Sequence, residues 1–340
     1  MFKRILWITG VFILLITTLA QAKIVFTSSR DGIREIYVMN DDGSNVQRLT
    51  DNQFFEKTPV WSPDGKQIAF TRNIDADIRN KQFDIIIMDA DGSNQQNLTK
   101  HPARDGGASW SPDGKHIAFT SNRTGRNEIH IIDVLSGEVE QLTNNKGIDG
   151  SANDPSWSPD GKYIAYEQSE RLRGGTIYIM DVNTKKAKPL IPIKPNITKD
   201  RPRWSPNGKY ILYHEISTQD VAENLDTKNP LLILDVLFGM KDRLVIVSVD
   251  GFDQLKLTIP EEWSISFITG WSPNSKEFVF SASQQRWGGN PEIYKYNIAT
   301  HEIINLTNQV GYDGEPNWLN RTLSVSPAGK MATQWGKIKR

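Results

Sequence analysis

The stretch WSPDGKQIAF, Trp61–Phe70, decides the fold, because it does not occur once. WSPDGKHIAF begins at Trp110, WSPDGKYIAY at Trp157, WSPNGKYILY at Trp204 and WSPNSKEFVF at Trp271, at spacings of 49, 47, 47 and 67 residues. Self-similarity at a fixed period marks a repeat architecture and has to be settled before any other reading. A second block follows each first one. EIYVMNDDGSNVQRLT starts at Glu35, and counterparts start at Asp84, Glu128, Thr176, Arg243 and Glu292.

Each unit reads as four short strands. The residues leading into the tryptophan make one strand. Ser-Pro-Asp-Gly suits a type I turn, with proline fixing φ at its second position and glycine closing it. KQIAF resumes as a strand, a variable hairpin leads to IYVMN, and a Gly/Asp turn leads to a short last strand. Four antiparallel strands every 40–50 residues is the pattern of a propeller blade. The expected fold is therefore all-β, a six-bladed β-propeller of four-stranded antiparallel blades.

The ends of the repeat predict how the ring closes. KIVFTSS, from Lys23, matches the strand after a tryptophan turn, so the first blade lacks its opening strand. Trp318 lies 11 residues after Thr307, as Trp61 does after Thr50 and Trp110 after Thr99. The Trp318 strand is expected to complete the N-terminal blade. VSPAGK, Val325–Lys330, imitates the turn as well and is the competing closure. Trp61, Trp110, Trp157, Trp204, Trp271 and Trp318 are then structural repeat residues, packed between blades.

The reiterated W-S-P-D-G-K motif, with its I-Y-V-M-D and D-G-S-N blocks, resembles the repeat of the TolB-type β-propeller family over residues 23–319. The resemblance implies a periplasmic binding or scaffolding module, although related blades also occur fused to peptidase and lyase domains. TolB proteins carry an α/β domain ahead of the propeller, and the expectation here is a chain without it. A fold likeness does not by itself establish function.

Residues 1–22 have a basic start (Lys3, Arg4), an apolar run from Ile5 to Leu19 and an Ala-Gln-Ala end. That is the pattern of a secretory signal peptide, cleaved near Ala22. Its apolar run falls short of the ~20 residues that span a bilayer. The expected location is periplasmic or secreted, with no stable membrane span after cleavage. The chain has no cysteine, which excludes disulfides and a cysteine nucleophile. Residues 23–320 hold 33 basic and 40 acidic side chains, a net charge of −7, which argues against nucleic acid as a partner. The segment 320–340 is a basic tail. A monomer is expected.

Catalytic signatures are missing from the sequence: no G-x-S-x-G, no H-E-x-x-H and no phosphate-binding glycine loop. No cofactor and no metal site is predicted, apart from a cation held in the channel. His116 and His130 replace ordinary strand residues. His301 replaces a turn residue and His214 stands at the edge of an insertion; convergence of two or more of His101, His116, His130, His214 and His301 at one channel mouth would favour an enzyme. DADGSN (Asp89–Asn94) and NDDGSN (Asn40–Asn45) lack the distal glutamate of a calcium loop and read as tight turns.

Glu56, Asp105, Asp154, Asp200, Asp313 and Glu315 lie three to five residues before a tryptophan, on strands that should line the central channel. They are either turn formers and partners of Lys57, Arg104 and Arg201, or an acidic funnel that attracts a cation or basic peptide. Blade five carries an insertion, about 214–242. Its Leu231, Leu232, Leu237 and Phe238 either cover the propeller side or form a sticky edge for a partner, and Trp287 is a further exposed candidate. The leading expectation is an exported, non-catalytic propeller that binds a protein or peptide of the cell envelope. The alternatives are a lyase or hydrolase working at the channel mouth, and a small-ligand or glycan binder.

Overall fold

The computed structural model describes residues 22–75, 82–145, 150–170, 174–217, 241–285 and 289–320. Every element among them is a strand, 24 in all, named β1 to β24 in chain order. Blade one is β1 (Lys23–Ser28), β2 (Glu35–Asn40) and β3 (Gln47–Arg48). Blade two is β4 (Glu56–Trp61) to β7 (Gln96–Asn97), and blade three is β8 (Asp105–Trp110) to β11 (Val139–Gln141). Blade four is β12 (Gly150–Trp157) to β15 (Ala187–Pro189), and blade five is β16 (Ile197–Trp204) to β19 (Gln254–Lys256). Blade six is β20 (Ser264–Trp271) to β23 (Ile303–Asn305). The last strand, β24 (Asp313–Trp318), pairs antiparallel with β1 to give blade one its fourth strand, with Ile24 opposite Trp318 and Ser28 opposite Asp313. The six four-stranded sheets thus form a closed ring, which removes the free edge that an open propeller would leave on β1.

The repeated motif explains itself in hydrogen bonds. Ser62 Oγ donates to Asp64 Oδ1 at 2.7 Å and accepts the Gln67 N–H at 2.9 Å, while Asp64 takes the Lys66 N–H. The same set recurs at Ser111, Ser158, Ser205 and Ser272. Gly65, Gly114, Gly161 and Gly208 sit at φ of 69–73°, in the left-handed region that glycine enters without a Cβ penalty. The closing Leu-Thr is a lock: the Oγ1 of Thr50, Thr99, Thr143 and Thr307 accepts the N–H of Ile36, Ile85, Ile129 and Ile293. It ties the end of the short outer strand to the third strand.

The core is six apolar seams, one per blade junction. Between blades one and two, Val25, Ile36 and Val38 meet Trp61, Ile68, Phe70, Ile86 and Met88. Between blades six and one, Val279, Ile293 and Leu306 meet Ile24, Phe26, Met39 and Trp318. The first two inner positions of strand two and the apolar face of strand three supply each seam, as period-two burial requires.

Residues 1–21 and 321–340 lie outside the described residues, as do Leu231, Leu232, Leu237, Phe238 and Trp287. The expected insertion is narrower than its sequence bounds. β17 (Tyr210–Ser217) continues through His214 and β18 (Lys241–Ser248) begins before Arg243, so both of those residues are strand.

Candidate functional site

Two cavities lie on the ring axis, each lined by the innermost strand of all six blades. One is built from the strand ends: Trp61, Trp110, Trp157, Trp204, Trp271 and Trp318, with the prolines of the following turns. Five of these indoles, all but that of Trp271, have an Nε1–H without an acceptor among the described residues. Neighbouring blades are stitched here by one side chain, since Asn317, Ser109 and Ser156 accept the backbone N–H of Trp61, Trp157 and Trp204 respectively at 3.0–3.1 Å.

The other cavity is polar, with a volume of about 360 Å³. Its geometry comes from a bulge that interrupts the innermost strand of each blade. At the residue three before the tryptophan, the backbone turns left-handed: Thr58 (φ 52°), Gly107 (65°), Asp154 (50°), Arg201 (51°) and Glu315 (55°). A left-handed non-glycine residue is strained, and a bulge re-aims its side chain. All five of these residues line this cavity. Two bonds between blades hold the strain: Thr58 N donates to Glu315 Oε2 at 2.6 Å and Asp154 N donates to Thr120 Oγ1 at 3.1 Å. Within blade one, Thr27 Oγ1 donates to the same Glu315 oxygen at 2.8 Å.

Of the six acidic candidates, Asp105, Asp154, Asp200 and Glu315 line this mouth; Glu56 and Asp313 do not. Five residues before the tryptophan, the chain builds a buried unit. Glu56, Asp105 and Asp313 pair with Arg72 (2.6 Å), Arg123 (3.0 Å) and Arg30 (3.0 Å), and each arginine covers a phenylalanine: Phe70, Phe119 or Phe26. Glu56 also accepts from Thr50 Oγ1 and Asn52 Nδ2. Glu56 and Asp313 are held in these pairs away from the mouth, whereas Asp105 is both paired with Arg123 and part of the lining. Burial pushes the Glu56 carboxyl up, with Arg72, Thr50 and Asn52 pulling it back.

The mouth is mixed in charge. Lys57, Arg104 and Arg201 share it with the carboxylates, stacked on aromatic rings: Lys57 over Phe83 at 4.3 Å, Arg104 over Phe83 at 5.8 Å and Arg201 over Phe267 at 4.6 Å. Burial pulls Lys57 down against the opposing pull of Glu315 and Asp154. Glu167, which sequence reasoning missed, is pushed up to about 8 by burial and then by the charges of Asp154 and Asp200. The available signal was a break in the repeat, because Thr27, Thr71 and Thr120 occupy the Glu167 position in blades one to three.

The histidines stay dispersed among the described residues. His214 is clamped in blade five, with Nδ1 3.1 Å from Asp200 Oδ1 and Nε2 3.5 Å from Asp242 Oδ1. His130 packs on Phe119 in blade three, His116 faces Asp133, and His301 meets the Tyr296 hydroxyl in blade six. His101 Nδ1 accepts the Ala103 N–H. No group of three or more metal-ligating side chains occurs among the described residues. Both DGSN segments are tight hairpin turns, with Gly43 and Gly92 at positive φ and the Asn40 and Asp89 N–H groups closing on Ser44 and Ser93. Among the described residues no helix is long and apolar enough to cross a membrane.

A profile of the TolB beta propeller domain matches residues 74–229. The chain is 43% identical over 51 residues to the Tol-Pal system protein TolB of Desulfosudis oleivorans, a match to 15% of this chain and 12% of that protein. The crystal structure of TolB from Acinetobacter baumannii superposes with a TM-score of 0.65 at 22% identity, over 88% of this chain and 66% of that one. The oligogalacturonate lyase of Vibrio parahaemolyticus shares the fold at 11% identity and a TM-score of 0.53, over 83% of this chain and 73% of the lyase. The sequence matches thus span a small part of the curated relatives, and the structural likenesses concern the fold. Repeat and ring make the chain a six-bladed β-propeller, and its blades are similar to those of TolB propellers.

Proposed function

We propose that the protein is an exported binding module that takes an extended segment of a cell-envelope protein into its axial mouth and performs no chemistry on it. The observation that carries this reading is the composition of that mouth. A single cavity collects charged and aromatic side chains from all six blades: Lys57, Arg104, Arg201, Asp154, Asp200, Glu315, Phe83 and Phe267. Mixed charges on aromatic platforms suit a polypeptide bearing both signs better than a simple cation or a purely basic peptide. Similarity to proteins named for the Tol-Pal system supports an envelope partner. The test is binding to envelope extract by the mature protein and by variants carrying Lys57→Glu and Arg104→Glu. Charge reversal at the mouth is expected to lower capture of the bound protein by about tenfold or more. Equal capture by wild type and variants counts against the mouth as the site.

One observation favours a second reading, a propeller hydrolase or lyase acting at the same mouth. Glu167, pushed up to about 8, holds its proton at neutral pH beside the carboxylates Asp154 and Asp200, as a general acid must. Turnover of acidic oligosaccharides or peptides that disappears in Glu167→Gln would favour it over binding alone.

A further inference from the structure

The row of side chains that crosses blade two is acid, base, acid. Glu56 lies opposite Arg72, Arg72 lies opposite Asp84, and Asn97 Nδ2 bonds to Asp84 Oδ2 at 2.6 Å. Blade five inverts every sign. Lys199 lies opposite Glu215, Glu215 lies opposite Arg243, and Lys256 takes the place of Asn97. The inversion does not reproduce the closed pairing. Glu56 accepts from Thr50, Asn52 and Arg72, whereas Lys199, 2% exposed, has an Nζ with no hydrogen-bond partner among the described residues. Glu215 instead faces Arg243, at 3.9 Å.

Lys199 lines a cavity of about 360 Å³ together with Lys194, Glu215, Arg243, Gln254 and Lys256. Four cations there face one carboxylate. An ammonium taken out of water needs an anion to meet it, and one glutamate shared with an arginine is too little. Burial and the neighbouring Lys194 both weigh against its charge, while Glu215 favours it. A tetrahedral dianion supplies oxygens for a buried ammonium, a guanidinium fork and two rim lysines at once.

We propose that this cavity on blade five, away from the axial mouth, binds a phosphoryl group through Lys199 and Arg243, with Lys194 and Lys256 at its rim. The cavity is larger than a phosphate ion, so the group arrives either free or as the head of a phosphorylated molecule such as an anionic lipid. The site is independent of the partner-binding reading, because it shares no residue with the mouth.

The test uses the mature protein with two probes, inorganic phosphate and phosphatidylcholine vesicles containing phosphatidic acid, whose headgroup is a phosphomonoester. Titration calorimetry and melting curves are run at fixed ionic strength, with chloride as the control. Expected are saturable phosphate binding and a melting temperature that climbs with phosphate but not chloride, as ligand linkage requires. Lys199→Met should weaken binding by about tenfold or more, and Lys256→Gln by a few-fold. Binding of the vesicles without inorganic phosphate, lost in Lys199→Met, sustains the proposal with a lipid headgroup as the source. No binding of either probe, or equal binding by Lys199→Met, overturns it and leaves Lys199 a partner of Glu215 alone. If Lys199→Met does not fold, the exposed pair Lys194→Gln and Lys256→Gln carries the same comparison, and unchanged affinity there overturns the proposal.

Discussion

Glu56 shows how a residue's role turns on a partner many positions away. Its side chain is fully buried, and Arg72, 16 residues on, reaches it from the adjacent strand. Removing one member of such a pair leaves the other charge buried and unpaired, at a cost of about 3–5 kcal/mol. Glu56→Ala is therefore expected to lose that much in urea unfolding, with Glu56→Ala/Arg72→Ala losing less than the sum of the two single changes. His214 gives the pH counterpart. Burial lowers its pKa, but the bonds to Asp200 and Asp242 outweigh it and the net shift is upward. A raised pKa means that His214 contributes stability fully below its unfolded value of 6.5, and that this is lost as pH rises through the folded value. Asp200 is lowered, so its contribution is present above 3.8 and is lost in acid. The urea midpoint of wild type is expected to fall as pH climbs above 6.5, and His214→Gln should flatten that slope. A parallel slope in the variant would assign the fall to other groups.

At the scale of elements, the tryptophan turn was legible because five copies of one solution stand side by side. Each copy carries the proline and an Asp or Asn that takes the serine hydroxyl, four carry the left-handed glycine, and blade six shows the permitted exception, Ser275 at φ 59°. A Cβ at Gly161 would meet nothing closer than Pro112 Cδ at 3.7 Å, so its φ of 73° isolates backbone strain from crowding. Gly161→Ala should cost about 1–2 kcal/mol, measured as a lower melting temperature with no change in the far-ultraviolet spectrum. The bulge three residues before each tryptophan was not legible. Thr58, Gly107, Asp154, Arg201 and Glu315 share a backbone conformation but no side-chain chemistry, so no residue type announces it. For the same reason, spacing identified six acids before the tryptophans but could not separate Glu56 and Asp313, held by arginines away from the mouth, from the four that line it. A one-residue step along a strand changes the face, and the bulge shifts that register.

For the whole molecule, the number of blades followed from counting six tryptophan strands and six closing strands, and the 11-residue spacing favoured the Trp318 strand over VSPAGK as the closure. The Trp318 strand does close the ring, and Ile24, Phe26 and Trp318 share the seam at the junction. The chemistry of the mouth was less accessible. Lys57, Phe83, Arg104, Glu167, Arg201 and Phe267 are scattered over 211 positions of sequence and meet only because the ring brings six blades to one axis. Repeats hide such sites, since each blade contributes one or two unremarkable residues. The claim that this mouth holds a partner is tested most directly by site-specific photo-crosslinking in the envelope. The crosslinking residue is placed at Arg104, in the mouth, or at Leu135, exposed in the β10 (Glu128–Asp133) to β11 hairpin. The account predicts a discrete crosslinked protein from position 104 and none from position 135. The same adduct from position 135 with none from position 104 would contradict it.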